Sequence, residues 1–251
     1  MYRGRVLSAY GHFLNVNAMP HSSSNENLLL IGASRGLGCA LAAEYLKRGW
    51  HVVATVRGAS RTKLHDLLEY SNGELEIETV DINVPDQVAA LHARLAARKF
   101  QLLFVNAGVA NMDDQEIADV STDEFVRVMV TNSLSPMRVV ESFKDLVIST
   151  GTIGVMSSGQ GSVANNENGK HEIYRASKAA LNMLMRSFAA RHVGGQTLLL
   201  MAPGWVKTDL GGPNARLSIG DSIPKLADVI DAQQGKGGLQ YLDYLGQRVA
   251  W

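Results

Sequence analysis

From Asn27 onward, short and almost wholly apolar runs alternate with longer stretches of helical periodicity, and few folds accommodate that alternation. The runs Leu28–Ile31, His51–Val56, Leu75–Val80, Leu102–Asn106, Ile153–Ser157 and Thr197–Ala202 read as strands. Several lack any polar alternation, as strands covered on both faces do. Between them, Leu37–Arg48, Asp86–Lys99, Thr122–Asp145 and Ile173–Val193 repeat apolar residues at helical spacing. Leu37, Leu41 and Tyr45 share one helix face, and Gly49 stands where a left-handed C-terminal residue belongs. Ser121-Thr122-Asp123-Glu124 is a capping-box pattern, and Pro136 predicts a kink or break near Ser133–Ser135. Leu239–Tyr244, after the glycines of Gly235–Gly238, can add an edge strand. The expected fold class is α/β: a single doubly wound, Rossmann-type domain over residues 27–251. Its parallel sheet has about seven strands with helices on both faces.

Composition excludes several function classes. Lys plus Arg (24) balance Asp plus Glu (24), so no bulk basic field exists to hold nucleic acid or an anionic membrane. No apolar run approaches the roughly 18 residues of a spanning helix. The single cysteine, Cys39, excludes an internal disulfide framework and suits a reducing compartment, so a cytoplasmic location is expected. Residues 1–26 read differently: Arg3, Arg5, His12 and His21 precede the first acid, Glu26, and a polar Ser-rich run closes the segment. No signal-peptide core is present. The segment reads as a disordered leader, a weak organelle-targeting peptide, or the product of a start placed ahead of Met19.

The first strand runs directly into Gly32-Ala33-Ser34-Arg35-Gly36-Leu37-Gly38 and a helix. Glycines permit the unusual dihedrals of such a turn and let backbone approach a pyrophosphate, which the free amides of the helix N-terminus can bind. A purely structural turn is the alternative. At the end of the second strand, Val56 occupies the place where an NAD site keeps an acid, and Arg57 follows. An acid there repels a 2′-phosphate, whereas an arginine binds it through charge-assisted hydrogen bonds. Arg35 can close on the same phosphate. Each arginine alone reads as a solvated charge; the two together favour NADP(H).

Tyr174-Arg175-Ala176-Ser177-Lys178 sets a tyrosine and a lysine on one helix face. A free tyrosine titrates near pKa ~10, too high for acid–base work at neutrality, and a neighbouring ammonium lowers it. Packing and surface charge are the alternative for that pair. Val155-Met156-Ser157-Ser158-Gly159 ends a strand, however, and so puts serines at the carboxyl edge where ligands of such sheets lie.

On these residues the chain resembles the short-chain dehydrogenase/reductase family from Asn27 to Trp251. Tyr174–Asn182 and Gly204–Asn214 are similar to its C-factor-like and sniffer-like carbonyl reductase branch. The resemblance implies a catalytic set of Asn132, Ser158, Tyr174 and Lys178. It implies a cofactor cradle of Gly32, Ser34, Arg35, Gly36, Leu37 and Gly38, with Arg57. Asp81 with Ile82 would hold the adenine. Asn106, Ala107 and Gly108 match the strand-four motif, while Pro203, Gly204, Val206 and Thr208 would hold the nicotinamide end beside Tyr174 and Lys178. Asn106 reads equally as a structural tie between strands.

Three departures from the family pattern stand out. Ile31 replaces a threonine that braces the glycine turn. Val105 replaces the first Asn of the strand-four motif. Ser158 and Tyr174 are 16 residues apart, about three more than usual, with the extra length in the polar loop Gly159–Glu172 that carries Asn165, Asn166 and Asn168. The segment from Thr208 to Pro224, a substrate lid in the family, holds Gly211, Gly212 and Gly220 and few aromatics, implying a small or open pocket.

The resemblance implies reversible, NADPH-dependent hydride transfer to a small carbonyl or from an alcohol. Tyr174 would be the general acid/base and Lys178 its partner, with Ser158 orienting the carbonyl and Asn132 holding a relay water. It also implies a homodimer or homotetramer joined through the helices that hold Asn132 and Tyr174. The alternative is a nucleotide-binding signalling or scaffold protein with little turnover.

Overall fold

The structure, a computed structural model, describes residues 26–110 and 115–251. The expected leader falls outside the described residues except for Glu26, whose carbonyl accepts from His51 N. Seven parallel strands form one sheet: β1 (Asn27–Ile31), β2 (His51–Val56), β3 (Leu75–Thr79), β4 (Phe100–Val105), β5 (Val147–Met156), β6 (Thr197–Ala202) and β7 (Gly238–Asp243). Their order is β3-β2-β1-β4-β5-β6-β7, so the chain reverses its direction of travel between β1 and β4.

The uniformly apolar strands are explained by what covers them. Alternate side chains enter two separate cores, since successive strand residues point to opposite faces. Leu29, Ile31, Leu103, Val105, Ile153, Val155, Leu198 and Leu200 enter one core. Leu28, Leu30, Val52, Ala54, Leu102, Phe104, Leu199 and Met201 enter the other. On the first face lie α2 (Pro85–Leu95), α4 (Ser135–Phe143) and α5 (Glu172–Arg191); on the second lie α1 (Gly36–Lys47) and α6 (Ile219–Gln233).

The long central helix breaks where its proline requires. α3 (Thr122–Met129) leads into a π-helical turn, Val130–Leu134, before α4 resumes with Pro136 in its first turn. Proline has no amide, so the Asn132 carbonyl four residues earlier loses its ordinary helical donor. Gly49 takes φ +81° after α1, as its position predicts. The capping box before α3 is only half made. Ser121 Oγ accepts from Glu124 N at 3.2 Å, but the Glu124 carboxylate turns to Arg127, a stronger charge-assisted partner than the cap amide.

Other boundaries move by a few residues. β5 begins at Val147, earlier than its apolar stretch suggests, because Ser149 and Thr150 interrupt the pattern; α2 stops at Leu95 rather than Lys99. The stretch read as a lid to Pro224 ends sooner: a Ser218–Asp221 capping box starts α6 at Ile219, with Pro224 inside the helix. After β7 the chain doubles back along it, Val249 N donating to the Tyr241 carbonyl. Among the described residues no helix is long and apolar enough to cross a membrane.

Candidate active site

At the carboxyl edge of the sheet, between β1 and β4, the glycine turn is built by contacts only glycine permits. A Cβ on Gly32, which has φ +89°, would lie 2.8 Å from Ala107; one on Gly38 would lie 2.2 Å from the Gly32 carbonyl. Asn106 Nδ2 donates to that carbonyl at 2.7 Å, so the side chain of Asn106 has the structural role of tying β4 to the turn. The brace missing at Ile31 is supplied from β2, where Thr55 Oγ1 accepts from Gly32 N at 2.9 Å. Val105 is buried in the core.

α1 begins with no side-chain cap and no acid in its first turn. Among the described residues no side chain caps its leading amides, and Gly36 faces Thr208 across the groove with room for a Cβ 3.8 Å away. A phosphate fits these donors and this space. Arg57 is exposed just beyond β2, with no ion-pair partner among the described residues. Arg35 is engaged differently from expectation. Its Nε lies 3.5 Å from Asp209 on the opposite lip, and both side chains are exposed. Such a surface pair is worth at most about 1 kcal/mol, so it exchanges easily for another anion.

Asp81 follows β3, its Oδ1 accepting from Asn83 N, and Ile82 beside it is buried. Asn83, passed over in the sequence, donates to Thr131 Oγ1 and accepts from Ser135 Oγ, pinning this loop to the π turn. Pro203 and Gly204 follow β6, and the Ser222 hydroxyl donates to the Pro203 carbonyl at 2.7 Å. Val206 bridges Leu217, while Thr208 Oγ1 accepts from Gly211 N at 3.0 Å.

Of the four expected catalytic residues, Ser158 and Lys178 neighbour Tyr174, and Asn132 meets Lys178 beside Gly108. Asn132 is buried in the π turn, its amide wholly engaged: Oδ1 accepts from Val109 N, and Nδ2 donates to the Val109 carbonyl and Ser177 Oγ. Lys178 is 4% exposed, and its Nζ donates to the Met156 carbonyl at 2.9 Å. That ammonium also lies 3.5 Å from where a Cβ on Gly108 would stand, and 5.9 Å from the centre of the Tyr174 ring. Among the described residues no carboxylate compensates it, and burial pulls its pKa down to about 8. An ammonium with three protons and one protein acceptor is suited to hydroxyls arriving from a ligand.

Tyr174 departs from the simple Tyr–Lys expectation. Burial pushes its phenol up; the hydrogen-bonding hydroxyl of Ser158 works in the opposite direction, and the nearby Tyr241 phenol adds to the rise. Among the chain's own groups desolvation prevails, so the phenol keeps its proton at neutral pH. Of the two serines, Ser157 is buried with Oγ donating to Asn182 Oδ1 at 2.6 Å. Ser158 Oγ accepts from Gln160 N at 3.1 Å, leaving its own proton for the phenol side. The polar loop after Ser158 is mostly exposed, as its composition suggests, and Glu172 at its end accepts from Ile117 N.

The family model described as short chain dehydrogenase matches residues 26–216. A crystal structure of a short-chain dehydrogenase/reductase from Burkholderia multivorans with bound NADP is 58% identical; the match covers 91% of this chain and 100% of that one, with a TM-score of 0.89. The carbonyl reductase Sniffer of D. melanogaster is 26% identical over 90% of this chain and 99% of its own, with a TM-score of 0.76. The C-signal protein of Myxococcus xanthus is 36% identical over 154 residues, 60% of this chain and 92% of its own. The likeness read from Tyr174–Asn182 and Gly204–Asn214 therefore has relatives on both sides of that branch.

Proposed function

We propose that this chain, which belongs to the short-chain dehydrogenase family, is an NADPH-dependent reductase of small carbonyl compounds with Tyr174 as its proton donor. The observation that carries the reading is the buried Lys178 ammonium set beside a protonated Tyr174 phenol to which the Ser158 hydroxyl is hydrogen-bonded. When bound, NADPH supplies the hydride. Three supports favour it as the cofactor: the bound NADP of the related Burkholderia multivorans structure, Arg57 at the end of β2, and the absence of an acid at Val56.

In this reading the protein supplies orientation and proton delivery. Ser158 donates to the substrate carbonyl oxygen and orients it. Tyr174 hands its proton to that oxygen as negative charge develops there, and a phenol protonated at neutrality is an acid poised for reduction. Lys178 holds ribose hydroxyls and stabilises the phenolate once the proton has left. The Asn132 carbonyl, freed by Pro136, holds a water that returns a proton by way of Lys178. Consumption of NADPH with a panel of aldehydes, ketones and quinones tests the reading; tight NADPH binding without turnover on any of them would favour a signalling role.

Two expected results belong with this reading. Arg57→Asp should shift the NADPH-to-NADH preference by at least about tenfold toward NADH, because an acid then faces the 2′-phosphate. An unchanged ratio of kcat/KM values for the two cofactors would mean that the phosphate is read elsewhere. The second concerns assembly. Phe125, Val126, Leu134, Met183 and Leu184 expose apolar side chains on α3, the π turn and α5. A second copy covers that face in our reading, so light scattering at micromolar concentration should return a dimer or tetramer, and a monomer would refute it.

A further inference from the structure

Behind the catalytic residues lies a buried polar cluster that the reaction scheme leaves unused. Tyr241, on β7 and 3% exposed, donates its hydroxyl proton to the backbone carbonyl of Ser158. Ser157 and Asn182 are hydrogen-bonding neighbours of the same phenol. Asn182, one helical turn beyond Lys178, also donates to the Gly161 carbonyl at 3.1 Å. Three separate elements, β5, α5 and β7, thus converge on the five residues from Ser157 to Gly161.

We propose that Tyr241 is a positioning residue, whose hydroxyl fixes the Ser158 backbone and so aims the Ser158 hydroxyl at the Tyr174 phenol. This rests on the roles assigned above to Ser158 and Tyr174. The segment needs an outside anchor. A Cβ on Gly159 would meet nothing within 4 Å, so no side chain packs against that side of the residue. At Gly161 a Cβ would stand 2.9 Å from the Asn182 amide and 3.0 Å from Lys178, so the far end is seated on α5. Ser158 lies between them in extended conformation, φ −163° and ψ 149°, and any rotation of its peptide swings Oγ away from the phenol. Gly161 N donates to the Ser158 carbonyl from within the segment at 2.9 Å, and the Tyr241 hydroxyl is the donor that ties the same carbonyl to the sheet. The same tail holds the next stretch of loop, since Trp251, in ring contact with Tyr241 at 5.5 Å, accepts from Ala164 N at 3.0 Å.

Tyr241→Phe keeps the ring and removes the hydroxyl, and with it the bond to the Ser158 carbonyl and the contacts with Ser157 and Asn182. With NADPH and phenanthrenequinone, kcat should fall about ten- to hundredfold, the cost of a misplaced catalytic group, while the NADPH dissociation constant stays unchanged. The deciding comparison is the same substitution in a Ser158→Ala background. If Tyr241 acts through Ser158, the double variant should be slower than Ser158→Ala by less than about twofold. An unchanged kcat in Tyr241→Phe, or an equal loss in both backgrounds, would overturn the proposal. Should the wild type be inert toward the quinone, or Ser158→Ala retain full rate, it is the reductase reading that fails. A crystal structure of Tyr241→Phe then decides the matter alone: Ser158 Oγ turned from the phenol supports the anchor, and an unmoved Ser158 refutes it.

Discussion

Tyr174→Phe should cost about 10²- to 10⁴-fold in the rate of NADPH-dependent carbonyl reduction while leaving cofactor affinity intact. The substitution removes one hydroxyl and keeps the ring that packs 5.9 Å from Lys178 Nζ. No other acid of the site can replace it. The Ser158 hydroxyl is far too weak an acid, and the Lys178 ammonium, 5.9 Å from the centre of the Tyr174 ring, bonds the Met156 carbonyl and in this reading the cofactor's ribose rather than the substrate oxygen. Ser177, one turn along, spends its proton on the Tyr174 carbonyl. The negative charge that develops on the substrate oxygen would then have only the Ser158 hydrogen bond to meet it. NADPH absorbance in single turnover reports the chemical step, and quenching of protein fluorescence reports binding. A residual rate above about a tenth of wild type would remove Tyr174 from the role of proton donor. Loss of NADPH binding in parallel would instead mean that the phenol belongs to the cofactor cradle.

The parts of this molecule that could be read from sequence are those where one local constraint fixes one structure. Strands such as Leu28–Ile31 are apolar at every position because two cores claim alternate residues, and that pattern survives in the linear sequence. Pro136 announces the break at Val130–Leu134 because a missing amide has one local consequence. Gly32 and Gly38 are required by contacts with neighbours that any such turn brings close. What escaped was set by partners distant in sequence. Thr55 replaces a brace lost at Ile31, and only the parallel pairing of β1 with β2 puts its hydroxyl there. Asn83 holds the kinked helix from 52 residues before Ser135. Tyr241 reaches Ser158 across 83 residues. α6 escaped for a different reason: Gly220 and Pro224 disguise its first turns, and the Ser218–Asp221 box that starts it was the available signal. The direction of the Tyr174 shift was also hidden, because desolvation depends on what the whole fold stacks above a side chain, whereas the Tyr–Lys spacing reports only a neighbour.

Lys178→Met should separate stability from activity in a way that depends on pH. Lys178 sits in the folded protein with its pKa pulled down by burial to about 8, from 10.5. Below pH 8 it is charged in both folded and unfolded chains, and the folded state bears the whole cost of burying an ammonium with one acceptor. Between about 8 and 10.5 the folded chain has released the proton while the unfolded chain still binds it, so stability rises with pH across that window. The difference amounts to about 3 kcal/mol, at 1.36 kcal/mol per pKa unit. Methionine removes the ammonium but orphans the Met156 carbonyl, a loss of about 1–3 kcal/mol that does not vary with pH. The informative quantity is therefore the pH dependence of the stability difference between variant and wild type. From pH 7 toward pH 10 that difference should move by about 3 kcal/mol against the variant, read by denaturant unfolding at several pH values. Cys39, Tyr45 and Tyr241, all held above their ordinary values by burial, lose stability in the alkaline range, but they are common to both proteins and cancel. Turnover of the variant should be lost at every pH, since no cation remains to stabilise the Tyr174 phenolate. A difference flat across pH would mean that Lys178 keeps an ordinary pKa in the fold, and that its ammonium is solvated rather than stored for the reaction.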